Sequence, residues 1–119
     1  EHARGDAPRG LLVSLPDEHL SVMVNEEDHL RLQSLRAGLA LSQAWAQVND
    51  ADDRLDGLID FAFSPRFGYL TSCPTNVGCG VRMSVMLHLP ALRLTNDIDK
   101  AKRAARDMNL TVRGFYGEG

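Results

Sequence analysis

The sequence is poor in aromatic residues (6%), has two cysteines among 119 residues, and contains no long uninterrupted apolar run. A membrane-spanning helix needs about 20 consecutive apolar residues, so no membrane partner is expected. Two cysteines do not make the disulfide framework of a small secreted domain, and the default setting is therefore a reducing, cytoplasmic one. The formal net charge of -3 lacks the basic excess of nucleic-acid-binding proteins, so no nucleic-acid partner is expected.

What is present is an ordinary globular composition, with 44% hydrophobic and 24% charged residues. The length suits one domain with a hydrophobic core. Residues 1–10 are polar and rich in glycine and proline, as in a linker or loop, and the chain stops directly after a strand-like run. Both ends therefore look cut, and we interpret residues 1–119 as part of one domain of a larger protein.

Local patterns in the first half predict strands followed by helix. Two short apolar runs at 11–15 and 20–24 flank a turn that contains a proline, which indicates a β-hairpin. Spacings of three and four between apolar residues predict helical structure from about 39 to 63. The aspartates within 50–53 favour a break or a new helix start there.

The second half predicts a strand, a helix and a strand. Residues 81–94 are mostly apolar, which fits a buried central strand closed by Pro90. Residues 95–99 have the polar cap and acidic first turn that begin a helix, and 110–112 are strand-like. The predicted fold class is α+β, with a mostly antiparallel sheet flanked by helices.

Residues 71–82 combine a thiol, a proline, two glycines around a second thiol, and an arginine. Glycines let the backbone approach a ligand closely, free amides can point inward, and arginine offers a planar fork that matches phosphate oxygens. This combination predicts an anion-binding loop.

The segment Cys-Pro-Thr-Asn-Val-Gly-Cys-Gly-Val-Arg at 73–82 also resembles the nucleotide and guanidine loop of the phosphagen kinases (ATP:guanido phosphotransferases). Two more segments are similar to motifs of this family and follow its order: Val-Asn-Glu-Glu-Asp-His-Leu-Arg at 24–31 and Val-Arg-Gly-Phe-Tyr-Gly-Glu-Gly at 112–119. The segment Ser-Val-Met-Leu-His-Leu-Pro-Ala-Leu at 84–92 is most similar to the bacterial protein-arginine kinases of the family.

The resemblance implies the catalytic domain that phosphagen kinases share with glutamine synthetase, incomplete at both ends. It implies ATP-dependent phosphoryl transfer to a guanidinium group, with ATP and Mg2+ as cofactors. The segment at 84–92 favours arginine side chains of proteins as the acceptor. We expect the isolated fragment to be inactive, because the family has further phosphate and adenine contacts upstream.

The same resemblance assigns site residues. The catalytic and substrate-binding residues would be Glu27, Cys73 and Glu118. The two glutamates would clamp the guanidinium, Glu27 would act as the base, and Cys73 would stabilise the substrate cation as a thiolate. The nucleotide-binding residues would be Arg31, Arg82 and Arg113 for the phosphates, Met86 for the adenine, and Gly78 and Gly80 in the loop. No protein ligand to metal is expected, since Mg2+ would bridge the phosphates.

Simpler alternatives exist for these assignments. Glu27 also fits a solvated acidic turn, Arg31 a surface arginine, and His88 a structural histidine. The family usually has threonine at the position of Cys79. For the whole protein, the alternatives are a metabolic phosphagen kinase acting on free arginine or another small guanidino compound, and a non-catalytic regulatory or binding module. The sequence leaves open whether a homodimer or an adaptor protein is involved.

Overall fold

The structure, a computed structural model, describes residues 8–114. The chain divides into two compact units, Glu1–Ser84 and Val85–Gly119. No helix within the described range is long and apolar enough to cross a membrane.

The first unit begins with a three-stranded antiparallel sheet. Its strands β1 (Gly10–Val13), β2 (Leu20–Val24) and β3 (Leu30–Ser34) lie in the order β1-β2-β3. Ser14 closes the first turn, because its backbone N–H donates to Leu20 O (2.9 Å) and its hydroxyl accepts from the Leu20 N–H (3.1 Å). The predicted hairpin is confirmed.

The pairing register gives the sheet two different faces. Met23 lies opposite Arg31 and Leu11, so these three residues share one face, which forms an open cleft of about 380 Å³. The other face carries Ser34, whose hydroxyl donates to Gln47 Oε1 (2.7 Å) in the helix that packs on β3. The helix therefore covers one face of the sheet and leaves the face with Arg31 open.

This helix, α1 (Leu41–Asp56), is continuous. The prediction of a break at the aspartates of 50–53 is wrong. Asp50 pairs with Arg54 (3.0 Å) and Asn49 Nδ2 donates to Asp53 Oδ2 (2.9 Å), each across one turn of the helix. Such pairs at i and i+4 support the helix through a sequence that would otherwise favour a new start.

A small hairpin follows α1 and leads to the segment with the cysteines. Its strands, β4 (Phe63–Ser64) and β5 (Gly68–Tyr69), pair antiparallel. The rings of Phe61 and Phe63 pack edge-on against Tyr69, with ring centroids 6.1 and 5.2 Å away. Aromatic pairs of this geometry stabilise a contact beyond their buried area, so the hairpin fixes the point from which the next loop starts.

The second unit contains two helices, α2 (Pro90–Leu94) and α3 (Ile98–Asp107). The predicted helix start at 95–99 is confirmed, and the Asp97 carboxylate there pairs with Lys100 (2.7 Å). Hydrogen bonds from the side chain of Lys100, and then from that of Thr95, lower the pKa of Asp97. Within the described range, the strands predicted at 81–94 and 110–112 do not form, and Pro90 begins α2 instead of closing a strand.

The two predicted strands do not form because they have no strand to pair with among the described residues. A strand exists only where a neighbour accepts and donates its ladder hydrogen bonds, and no described strand lies beside 81–89 or 110–112. Large apolar side chains of the described residues also stay exposed, Leu94 by 84% and Trp45 by 40%. None of the described side chains is fully buried, so the predicted core is not closed by the residues that the structure describes.

Exchanging Asp52 for asparagine is expected to stabilise the protein at neutral pH. Burial, and then the charges of Asp53 and Asp56, raise the pKa of Asp52. A raised folded-state pKa means that stability is lost as the pH rises through it, so the ionised carboxylate is unfavourable at pH 7.

Thermal unfolding of the full-length protein at pH 7 and at pH 4 would measure this effect. Asp52→Asn should raise the melting temperature at pH 7, and the gain should shrink at pH 4. Asp17→Asn, in the exposed turn between β1 and β2, is the matched control and should change little. A lower melting temperature for Asp52→Asn at pH 7 would contradict the explanation.

Candidate active site

The turn between β2 and β3 holds the acidic residues of the sequence motif. Asn25 begins it with a left-handed backbone (φ 53°), and its N–H donates to His29 O (3.0 Å). Exposure alternates along the turn, since Glu26 and Asp28 are half-buried and Glu27 is exposed. The turn therefore presents the Glu27 carboxylate to the outside while Asp28 faces the protein.

The cysteine loop, residues 70–77, is closed at its base by a bridge between Tyr69 and Gly78. The Tyr69 N–H donates to Gly78 O (2.8 Å), and the Gly78 N–H donates to Tyr69 O (3.2 Å). Inside the loop, a single 3-10 turn, Pro74–Asn76, begins directly after Cys73. The Thr71 hydroxyl donates to Cys73 O (2.6 Å), so the loop has its own internal framework.

Asp28 connects the acidic turn to the cysteine loop. Its Oδ1 accepts from the backbone N–H of Cys73 (2.9 Å), 45 residues later in the sequence, and its Oδ2 accepts from Asn76 Nδ2 (2.7 Å). The hydrogen bond from Cys73, then that from Asn76, lowers the pKa of Asp28 against the opposing effect of burial; the Ser72 backbone and the Arg31 charge add to the lowering. One carboxylate thus uses both of its oxygens to join two segments.

The loop therefore binds an anion of its own chain. The sequence predicted free amides that point inward, but the amide of Cys73 donates to Asp28 and that of Gly78 donates to Tyr69. Gly80 lies against the Tyr69 ring, where an added Cβ would sit 3.5 Å from Cδ2. The role of Gly78 and Gly80 towards a nucleotide stays a prediction.

Glu27 also approaches the cysteine loop at this connection. Asn76 Nδ2, which donates to Asp28, also lies 3.5 Å from Glu27 Oε2. The half-buried Cys73 has its Sγ 3.0 Å from the Thr75 hydroxyl, a distance at which either group donates to the other. The structure therefore brings the Glu27 carboxylate to a residue of the same loop that carries the Cys73 thiol.

The predicted cationic residues are distributed over both units. Arg31 lies on the open face of the sheet and close enough to Asp28 to influence its charge. Arg82 is exposed in the first unit, after the cysteine loop. Met86 and Arg113 belong to the second unit, where Met86 is 77% exposed, and Glu118 lies outside the described residues.

Three residues of this arrangement were not among the predicted site residues: Asp28, Thr75 and Asn76. Each lies inside a motif that the sequence singled out, so their positions were suggestive. Their partners were not visible, because a hydrogen bond across 45 residues leaves no periodic pattern in a sequence. The thiol of Cys79, where the family usually has threonine, turns back to Val81 O (3.7 Å).

Comparison with known proteins decides the family. The sequence model described as ATP:guanido phosphotransferase, C-terminal catalytic domain, matches residues 2–119. The chain belongs to the ATP:guanido phosphotransferase family. The resemblance seen in the motifs is therefore confirmed over nearly the whole sequence.

Individual relatives of the ATP:guanido phosphotransferase family agree with this placement. The chain is 54% identical over 118 residues to a protein-arginine kinase of Halothermothrix orenii and 54% identical over 114 residues to one of Pelotomaculum thermopropionicum. It is 49% identical over 118 residues to a protein-arginine kinase of Geobacillus kaustophilus. These matches cover 96–99% of this chain and 32–34% of the relatives, so the chain spans about a third of their length.

Gly68, at the base of the cysteine loop, is expected to tolerate no side chain. A Cβ there would lie 2.3 Å from Gly78 O, and the backbone is left-handed (φ 83°). Gly38 is the matched control, because it is also left-handed (φ 71°) but has open space around it. Gly38→Ala should cost about 1–2 kcal/mol from backbone conformation alone, and Gly68→Ala clearly more, because the bridge to Gly78 must open. Thermal unfolding of both variants would measure the difference, and equal losses would contradict the proposed close contact.

The contact between Asp28 and the cysteine loop is expected to weaken in acid. The folded-state pKa of Asp28 lies below the usual aspartate value of about 3.9. Its contribution to stability is therefore complete above that value and is lost as the pH falls through the lower folded-state pKa. Amide hydrogen exchange at Cys73 would report this, with protection falling as the pH is lowered below about 4 relative to the amide of Gly78. Parallel behaviour of the two amides would contradict the assignment.

Proposed function

We propose that the full-length protein is a cytoplasmic enzyme that transfers the γ-phosphoryl group of ATP to arginine side chains of proteins. The observation that carries the proposal is that the turn with Glu27 is hydrogen-bonded to the loop with Cys73, in a member of the ATP:guanido phosphotransferase family. We also propose that the α+β arrangement is part of the catalytic-domain fold that phosphagen kinases share with glutamine synthetase. The two free cysteines agree with a reducing compartment.

The proposed chemistry needs an acceptor that is held still. A guanidinium is planar and offers several N–H donors, which a carboxylate accepts in matching pairs. Glu27 is exposed and makes one long contact (3.5 Å), so its oxygens are available to such a cation. The sulfur of Cys73 would lie on the other side and stabilise the positive charge as a thiolate.

In the transfer step, a guanidinium nitrogen forms a bond to the γ-phosphorus while the bond from that phosphorus to the ADP oxygen breaks. The nitrogen loses a proton to Glu27, which acts as general base and later releases the proton to solvent. Glu118 is proposed as the second carboxylate of the clamp, which fixes the acceptor in line with the phosphate.

The nucleotide would be bound by cations. Arg31, on the open sheet face, and Arg82 form no ion pair within residues 8–114, so their guanidinium groups can take phosphate oxygens. Arg113 and Met86 are proposed as further phosphate and adenine contacts. No group of three or more metal-ligating side chains occurs among the described residues, and Mg2+ is proposed as the ion that accompanies the ATP phosphates.

Protein-bound arginine is the proposed acceptor because the relatives quoted above carry the name protein-arginine kinase. The chain alone spans about a third of their length, and we propose that it is inactive by itself. The activity, substrates and partners proposed here are those of the whole protein.

The test is to incubate the full-length protein with ATP, Mg2+ and either an arginine-rich protein or free arginine, and to measure acid-labile phosphoarginine. Label on the protein acceptor is expected. Label on free arginine alone would move the assignment to a metabolic phosphagen kinase, and no label on either acceptor would favour a non-catalytic module.

Two substitutions test the residue roles. Glu27→Gln should lower kcat by roughly 10²–10⁴-fold, the range for losing a general base, and Cys73→Ala should also lower it clearly. Both should fold normally, because Glu27 is exposed and alanine keeps the backbone N–H of Cys73 that binds Asp28. Asp60→Asn, an exposed aspartate outside the site, is the control for carboxylate removal. Unchanged turnover in Glu27→Gln or Cys73→Ala would refute the role given to that residue.

A further inference from the structure

We propose that Asp28 is the positioning residue of this site, whose carboxylate holds the Cys73 thiol and the Glu27 carboxylate at a fixed separation. The proposal rests on the proposed function, since it explains how the two residues of that chemistry are kept together. Asp28 would not touch the substrate.

Asp28 lies between the two functional residues in the network of contacts. It follows Glu27 in the chain, and the N–H that it accepts at 2.9 Å belongs to Cys73 itself. A shift of the carboxylate would therefore move the backbone of both residues. Within the described residues, the two short hydrogen bonds from the cysteine loop to the acidic turn come from the Cys73 N–H and the Asn76 amide and end on Asp28, and the Ser72 backbone also acts on this carboxylate.

Both oxygens of Asp28 already accept hydrogen bonds from the cysteine loop. Oδ1 accepts from a backbone N–H and Oδ2 accepts from the Asn76 amide at 2.7 Å. Charge-assisted hydrogen bonds of this kind are stronger than neutral ones, and the nearby Arg31 charge favours the ionised form further. Asp28 is therefore occupied in positioning, whereas Glu27 keeps its oxygens for an outside cation.

The middle of the cysteine loop depends on Asp28 more than its ends do. Its base is fixed by the bridge from Tyr69 to Gly78, but the two bonds of that bridge lie at the ends of the loop. Among the described residues, the segment from Ser72 to Asn76 is joined to the acidic turn by the two short bonds to Asp28 and by the long contact from Asn76 to Glu27. Because a misplacement of about 1 Å can cost on the order of 100-fold in rate, loosening this one carboxylate should affect turnover strongly.

The substitutions Asp28→Asn and Asp28→Glu separate positioning from packing. Asparagine keeps the size but turns one acceptor into an NH2 group, which would face an N–H donor. Glutamate keeps both acceptors but adds a methylene. If the carboxylate acts as a double acceptor, Asp28→Asn should lower kcat by about 10–100-fold and Asp28→Glu should recover part of it. If only size matters, asparagine should be the better replacement, which would overturn the proposal.

A measurement independent of catalysis is the rate at which iodoacetamide alkylates Cys73, with Cys79 as internal reference. Loss of the Asp28 contacts releases the segment that carries the half-buried thiol and so opens the sulfur to the reagent. In full-length Asp28→Asn, alkylation of Cys73 should rise at least about threefold, while that of the exposed Cys79 should stay unchanged. Equal rates at Cys73 in Asp28→Asn and the parent protein would overturn the proposal.

Two further variants complete the experiment. Asn76→Ala removes one of the two bonds and should raise Cys73 alkylation by less than Asp28→Asn; this variant decides the matter if Asp28→Asn does not fold. Asp17→Asn, an exposed aspartate in the turn between β1 and β2, should leave both readouts unchanged. If the parent protein forms no phosphoarginine, the proposed function fails, but the alkylation rates still decide whether Asp28 positions Cys73.

Discussion

The structure of the candidate site depends on one carboxylate that accepts two hydrogen bonds. Asp28 binds the Cys73 amide and the Asn76 side chain, and these bonds bring together two segments that are distant in sequence. Without them, the acidic turn and the cysteine loop would each keep its own internal hydrogen bonds but would have little to fix their separation. The proposed chemistry needs that separation, since a guanidinium is gripped only when its partners are correctly spaced.

A connection made by hydrogen bonds, such as that between Asp28 and the cysteine loop, is expected where apolar packing is incomplete. No described side chain is fully buried, and many large apolar side chains are exposed. Hydrophobic burial therefore contributes less order in this part of the chain than in a closed core, and directional contacts decide local geometry. A half-buried carboxylate suits this role, because it keeps enough solvent to stay ionised and accepts its hydrogen bonds as a charged group.

Local features of the fold could be predicted, and contacts between distant residues could not. The hairpin around Ser14 and the start of α3 are determined by residues within a few positions of each other. Both predictions were confirmed. The helix break at Asp50 was wrong because pairs one turn apart, such as Asp50 with Arg54, stabilise the continuous helix. The motifs indicated Glu27 and Cys73 separately, but the role of Asp28 depends on a partner 45 residues away, which only the folded chain supplies.

The neighbouring acids Glu27 and Asp28 differ by one methylene and are suited to different roles. The shorter Asp28 side chain holds its oxygens close to the backbone, where each of them accepts a hydrogen bond from the cysteine loop. The longer Glu27 side chain extends beyond this contact, remains exposed, and among the described residues has a weak contact at 3.5 Å. A group that positions a loop has its oxygens engaged with that loop, whereas a group that receives a guanidinium needs oxygens that are open to it. Adjacent carboxylates of different length meet both requirements within a single turn.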